Sequence, residues 1–459
     1  MTSPSSKPNQ KEGCHIEKKK DLVYIDNRFT AVTFTPKESE MNDFLSYVVI
    51  IMLLVVVFGY FNERKSKITY EISLMLFSIL LGAGLLIINR LIPDREATMI
   101  LDRIVSFDLE DYLMKGVLCF MLYAGSCHMK LRDFERMKRP IAVLSLLGTL
   151  LGAVFYGGLF MLLSKILGLG FSLPVCMMFG SIIAPTDPIA ATSILNKFGL
   201  PKDTSFLIES ESLLNDGVGV ALFVCFSGMV TATESAGFFR VLFRELLGAV
   251  AVGIAVTIIC FYIFKRTEDV GRQIFTSILA VSLAYIVCEK FEFSGAIASV
   301  VCGVLCSALR NHNEHKGKVW NLQDFDTFWG ILDNLLNSIL YVILGLSFVN
   351  ILGTPYLIAV ATGAIICNLL GRGGSVAACT FIMGPIPDGF KRWNFVKLMT
   401  WGGLRGALCI ALAMSTKPMI PNETYRIIIG GTYAVVAFTT IIQGLTIRRV
   451  YDRICEDQK

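Results

Sequence analysis

The stretch GSIIAPTDPIAATSI, residues 180–194, decides the fold. It sits in an apolar run long enough to cross a bilayer, yet Pro185 and Pro188 bracket Thr186 and Asp187 in its middle. Each proline removes a backbone donor and clashes with the preceding turn. The expectation is a helix broken at membrane depth, not a simple proline kink. Such a break exposes one half-helix N-terminus and one half-helix C-terminus, which carry opposite partial charges. Asp187 offsets the positive ends, and freed carbonyls, including that of Thr186, become ligands for a cation.

The surrounding composition agrees with a membrane setting. The chain has 459 residues, 54% hydrophobic and only 17% charged, with a mean hydropathy of +0.61. Soluble domains carry about a quarter charged residues. Thirteen apolar stretches are read as spans, roughly at 43–60, 69–90, 109–126, 140–165, 172–197, 205–230, 240–264, 272–288, 293–309, 326–350, 355–382, 396–415 and 425–447. Their length and continuity point to helices and exclude an alternating β-barrel. The fold class expected is therefore an all-α polytopic membrane protein. Residues 1–42 form a polar segment with no cleavable signal pattern, 43–447 the membrane domain, and 448–459 a short tail.

Lys and Arg concentrate in the tail and in every second loop back from it, which puts the C-terminus in the cytosol. The net charge of +5 belongs to these loops and carries no sign of a nucleic-acid partner. Thirteen cysteines include no CxxC pair and are read as small apolar residues.

Charges inside spans are expensive and face a cavity or a partner. Six stand out: Asp187, Glu209, Glu211, Asp216, Arg372 and Arg405. In ESESLLNDGVGVALFV, residues 209–224, Glu211 and Asn215 are four apart, and so are Ser212 and Asp216. Both pairs fall on neighbouring rows of one helix face. The result is a stripe of carboxylate, hydroxyl, amide and carboxylate. These are hard oxygen ligands, suited to a small hard cation such as Na⁺. Arg372, in CNLLGRGGSVAAC (367–379), needs an acid, and Glu211 is the one expected. Asp333 and Asn337 share a helix face and are read as interhelical hydrogen-bonding groups.

TWGGLRGALCIAL, residues 400–412, places Gly402, Gly403 and Gly406 around Arg405. Glycine loosens a helix interior, and Arg405 can offset negative half-helix ends. One break carries an acid and the other a base, with six spans between them. Two interrupted helices at corresponding positions indicate an inverted-repeat secondary transporter. A buried aspartate such as Asp216 is then neutralised by either a proton or a cation, and the two compete. One charge replaces one, so exchange is electroneutral. There is no GxxxxGK[ST] loop to suggest an ATPase, and no cofactor is implied. Three rivals remain: a cation channel, an organic-anion carrier of the same fold, and an intramembrane aspartyl protease with Asp187 and Asp216 as its dyad.

In this order, APTDPIA, ESESLLNDGVGV, GRGG and GGLRGA resemble the sodium/proton exchangers of the monovalent cation:proton antiporter class. YAGSCHMKLRDF, FSGAIASVVCG and NSILYVILGLSF fit as well, so the resemblance covers roughly residues 43–447. It implies a homodimer and an elevator-like core, 140–230 and 355–447, moving against a dimer scaffold, 43–128 and 240–350. By position, Asp216 matches the cation- and proton-binding carboxylate, preceded by Asn215. Ser212 and Thr186 match cation ligands, so Na⁺ would sit at Asp216, Ser212 and Thr186. Glu211 matches the acid paired with the arginine at Arg372, while Asp187 and Arg405 match charges at the crossing breaks. The Asn-Asp pair resembles the electroneutral branch, and pH and sodium regulation at the plasma membrane follows from the resemblance. Ser210 departs from the family's usual glycine, and twelve residues follow 447 in this sequence where animal exchangers carry a long regulatory tail.

Overall fold

In a bilayer every backbone N–H and C=O must find a partner within the protein, and helices achieve this locally. The computed structural model is accordingly helical, with no strand among the described residues. It describes residues 38–66, 69–91, 116–129, 131–187, 195–196, 199–231, 237–314, 322–348 and 356–457. Residues 1–46 and 47–459 are separate compact units; apart from the first turns of the first helix, the helices below belong to the second. Pro188, most of the stretch after the first break, and the start of the 109–126 span lie outside the described residues.

The helices run in chain order. They are α1 (Glu38–Phe61), α2 (Tyr70–Leu91), α3 (Leu118–Cys127), α4 (Arg132–Ile166), α5 (Leu173–Ile183), α6 (Lys202–Thr231) and α7 (Phe238–Phe264). Then come α8 (Val270–Phe291), α9 (Gly295–Glu314), α10 (Leu322–Ser347), α11 (Leu357–Ile382), α12 (Arg392–Trp401), α13 (Ala407–Ser415) and α14 (Asn422–Glu456). Nine helices among the described residues are long and apolar enough to span a membrane. Leu118–Cys127, Leu173–Ile183 and Gly295–Arg310 are shorter apolar helices, and the 396–415 stretch is divided between α12 and α13. The described helices do not by themselves make up thirteen full spans.

Several span edges differ from the hydropathy reading. α4 begins eight residues early, in the charged sequence RDFERMKR, and α14 runs on through RRVYDR to Glu456. A helix needs no apolar side chains once it leaves the hydrocarbon, because its own hydrogen bonds continue. Residues 448–456, read as a tail, are thus the last turns of α14. On the outside of the helices, Leu53, Leu247 and Phe275 are 60%, 66% and 69% exposed. Side chains of this kind are ordinary facing lipid and costly facing water.

α5 is held deep in the fold by close packing. At Gly180 a Cβ would lie 2.0 Å from the Ala153 carbonyl oxygen of α4, so only glycine permits this crossing. Small residues let membrane helices approach where no hydrophobic drive separates them from lipid. The start of α6 is also pinned. Asp388 accepts from the Thr204 backbone N–H at 2.9 Å and from its hydroxyl at 2.6 Å. One of the orphan first-turn donors is thereby satisfied, and Arg136 pairs with Asp203 beside it.

Candidate ion-binding site

The two helix interruptions meet. α5 ends at Ile183, α12 ends at Trp401 and α13 begins at Ala407. Between them the Asp187 N–H donates to the Leu404 carbonyl at 2.8 Å. The last carbonyls of a helix lack intrahelical donors and carry negative partial charge. Arg405 answers this at the end of α5, donating from Nη1 to the Ala184 and Pro185 carbonyls at 2.7 and 2.8 Å. Its Nε and Nη2 both reach Asn368 Oδ1, each at 3.1 Å. A π-helical turn in α14, Phe438–Gln443, presents Thr439 and Thr440 to the Arg405 backbone.

Asp187 sits at the start of α13, where unpaired N–H groups favour negative charge. The Tyr341 hydroxyl of α10 donates to its Oδ2 at 2.5 Å. At Gly406 a Cβ would lie 2.8 Å from the same oxygen. Gly406→Ala is therefore expected to displace Asp187, lowering stability by about 1–3 kcal/mol and depressing transport. Thermal unfolding and flux together check this. Wild-type values for both would mean that the carboxylate yields freely.

The α6 stripe packs against this crossing. Asn215 accepts from the Thr186 N–H through Oδ1 at 3.1 Å, and its Nδ2 donates to Thr186 Oγ1 at 2.7 Å. The same Nδ2 donates to Glu211 Oε1 at 2.9 Å. The Ser212 and Thr186 hydroxyls lie 2.8 Å apart. Arg372 grips Glu211 with both terminal nitrogens, Nη1 to Oε1 at 2.9 Å and Nη2 to Oε2 at 3.0 Å. Both side chains are almost wholly buried. Asn368 and Arg372 stand one turn apart on α11, so one helix supplies a partner to each half of the site.

Asp216 differs from all of these. It is half-buried and accepts no hydrogen bond among the described residues. It faces a cavity of about 100 Å³ shared with Thr186, Asp187, Gly406, Asp333 and Asn337. The structure thus brings Thr186, Asp187 and Asp216 to the chamber and buries Glu211, Ser212 and Asn215 behind it. Glu209 is elsewhere, accepting from the Ser205 hydroxyl near the start of α6.

Three groups were missed or misread from the sequence. Among the described residues Asn337 does not bond across helices as expected: it donates to Asp333 of its own helix, to Oδ1 at 3.0 Å and to the carbonyl at 2.9 Å. Both residues line the chamber. Their shared face and unusual polarity in an apolar helix were the available signal. Tyr341 and Asn368 had none, since a lone Tyr or Asn in a span is ordinary.

The family described as the transmembrane sodium/hydrogen exchanger matches residues 44–453. The chain belongs to the sodium/hydrogen exchanger family. This is a transporter family, so the protease alternative is set aside. Among its relatives, the Na⁺/H⁺ antiporter NhaP of Pseudomonas aeruginosa is 28% identical, over 89% of this chain and 97% of the relative. The Na⁺/H⁺ antiporter NhaH of Halobacillus aidingensis is 30% identical, over 69% of this chain and 76% of the relative. The fold is similar to that of the sodium proton antiporter MjNhaP1 from Methanocaldococcus jannaschii, with a TM-score of 0.73 at 19% identity. That likeness covers 90% of this chain and 99% of the other.

Proposed function

We propose that this exchanger moves Na⁺, with Li⁺ or K⁺ as related cargo, against H⁺, electroneutrally and by alternating access. The observation that carries the reading is the contrast between Asp216 and its neighbours. Glu211 is neutralised by Arg372, Asp187 is held by Tyr341 at the head of α13, and Asn215 does not titrate. Among the described residues, Asp216 is the carboxylate that faces the cavity without a donor. Its charge is balanced by a proton or by a cation, one at a time. Thr186 and Asp187 stand beside it as further oxygen ligands, with the Ser212 hydroxyl reached through Thr186. Na⁺ and H⁺ here are cargo, not resident groups.

The relatives named as Na⁺/H⁺ antiporters support the same cargo. In this reading residues 140–230 and 355–447 form the moving core, and 43–128 and 240–350 the scaffold of a homodimer. The protein resides in the plasma membrane with its C-terminus in the cytosol, in keeping with the Lys and Arg bias of alternate loops. A second cavity of about 250 Å³, lined by Glu245, Glu289 and Glu292, shares the Leu118 side chain with the first. Two chambers meeting at one apolar residue suit a site open to one side at a time.

The test is exchange by purified protein in proteoliposomes, with an internal pH dye and with Na⁺, Li⁺ and K⁺ compared. A membrane potential of about 100 mV is worth ~2.3 kcal/mol per net charge moved. Imposing it is expected to leave the null point of the pH gradient unchanged. A two-proton exchanger would show a large shift, which would sink the one-for-one reading.

A further inference from the structure

Asp333 is not needed by the scheme above, yet it shares the chamber with Asp216. It lies on α10, whereas Asp216 lies on α6 and Asp187 on the α5 break, so the carboxylates approach the cavity from different elements. Asn337, 4% exposed, holds it in place by donating to Oδ1 at 3.0 Å. Its other oxygen, Oδ2, accepts no hydrogen bond among the described residues. Among the described residues no basic side chain lines the chamber: its remaining walls include Leu118, Met121, Leu122, Leu213 and Leu340. An ion pair for Asp333 is likewise absent among the described residues. This is an oriented carboxylate, with one oxygen clamped and one open, in a narrow apolar-walled cavity.

We propose that Asp333 is a cation-recruiting residue of the transport chamber, a transient ligand that takes Na⁺ from water and passes it to Asp216. The inference rests on the exchanger reading above and deepens it. A cation entering an apolar-walled cavity loses hydration, and a fixed negative charge along its path raises its local concentration. Low-dielectric walls strengthen that attraction over a few ångströms. Asn337 supplies the positioning: its bond to Asp333 Oδ1 at 3.0 Å restrains the carboxylate, and Oδ2 is left without a donor among the described residues. Asp333 is not the site at which cation and proton exclude one another, because that role belongs to the carboxylate beside Thr186.

The experiment compares wild type, Asp333→Asn, Asp333→Glu and Asp216→Asn in proteoliposomes, with Na⁺ varied at constant pH. Asp333→Asn keeps the shape and the acceptor for Asn337, so folding is preserved; a wild-type elution profile and melting temperature confirm it. The expected result is an apparent KM for Na⁺ raised about three- to tenfold, with the maximal rate unchanged within about twofold. Asp333→Glu is expected to restore most of the affinity. A second readout is ionic strength, adjusted with choline chloride. Salt screens fixed charge over about 10 Å at 0.1 M, so the wild-type KM is expected to rise with added choline while that of Asp333→Asn stays flat. A folded Asp333→Asn protein with the wild-type KM and salt dependence would overturn the proposal and leave Asp333 a packing group within α10. A folded but inactive Asp333→Asn would also overturn it, by making this carboxylate indispensable to the exchange step. If wild type itself exchanges no cation for protons, the exchanger reading fails first, and that outcome is distinguishable because no variant is then compared.

Discussion

Asp216→Asn is expected to reduce Na⁺-driven proton flux to the level of empty liposomes while the protein still inserts and unfolds cooperatively. The substitution keeps the side chain's volume and removes its charge. Asn cannot take up a proton, and its neutral oxygen removes from the chamber the carboxylate at which proton and cation replace one another, leaving Asp187 and Asp333 as the acids on its wall. Because Asp216 makes no hydrogen bond among the described residues, its loss orphans no donor, and stability changes little. A binding measurement separates this from a general defect. A ligand that binds only the folded state stabilises it by RT ln(1 + [L]/Kd), about 1.4 kcal/mol at ten times Kd. Wild type is expected to melt higher in Na⁺ than in choline, with the increment shrinking as pH falls and protons compete. The variant is expected to show no increment at any pH. Retained flux at normal expression would remove Asp216 from the centre of the mechanism.

The second large effect concerns stability. Glu211 and Arg372 make two parallel charge-assisted hydrogen bonds across α6 and α11, with side chains 1% and 5% exposed. Removing one partner from such a pair leaves an uncompensated buried charge, at about 3–5 kcal/mol. Glu211→Ala and Arg372→Ala are each expected to fall in that range. The double variant is expected to lose about as much as either single one, since the second change removes the stranded charge. Glu211 also accepts from Asn215, so Glu211→Ala loosens the Thr186 side of the site and depresses transport more than Arg372→Ala. A thermal-denaturation cycle in detergent measures the coupling. Additive losses would mean that the two side chains act independently.

Much of this arrangement is legible from residue type and spacing. The break at Pro185, the stripe at Glu211, Ser212, Asn215 and Asp216, and the assignment of Glu211 to Arg372 follow from the cost of polar groups in lipid. Few acids lie in spans, so an arginine there has few partners to choose from. The same logic gives Arg405 its task at half-helix ends, because a guanidinium surrounded by glycines has backbone carbonyls within reach. The misreadings have a common origin. Asp333 and Asn337 share a face four residues apart, but spacing along one helix says nothing about which helix or cavity that face meets. Helix edges at α4 and α14 were drawn at the first charges, although hydrogen bonding within a helix is indifferent to the solvent outside it.

By itself the sequence determined the helical class, the two interruptions and the identity of the membrane charges, since each is a local consequence of proline, glycine, hydropathy or 3.6-residue periodicity. Only the tertiary structure decided which interruption faces which. It set Arg405 on the carbonyls of Ala184 and Pro185, some 220 residues away, and Asp187 at the head of α13. It also decided that Asp333 shares a chamber with Asp216 while Ser212 and Asn215 stand behind it. The physical reason is range. Backbone breaks are set by bonded neighbours and steric clashes within a turn, whereas a cavity is made by side chains from several helices whose packing no single segment encodes.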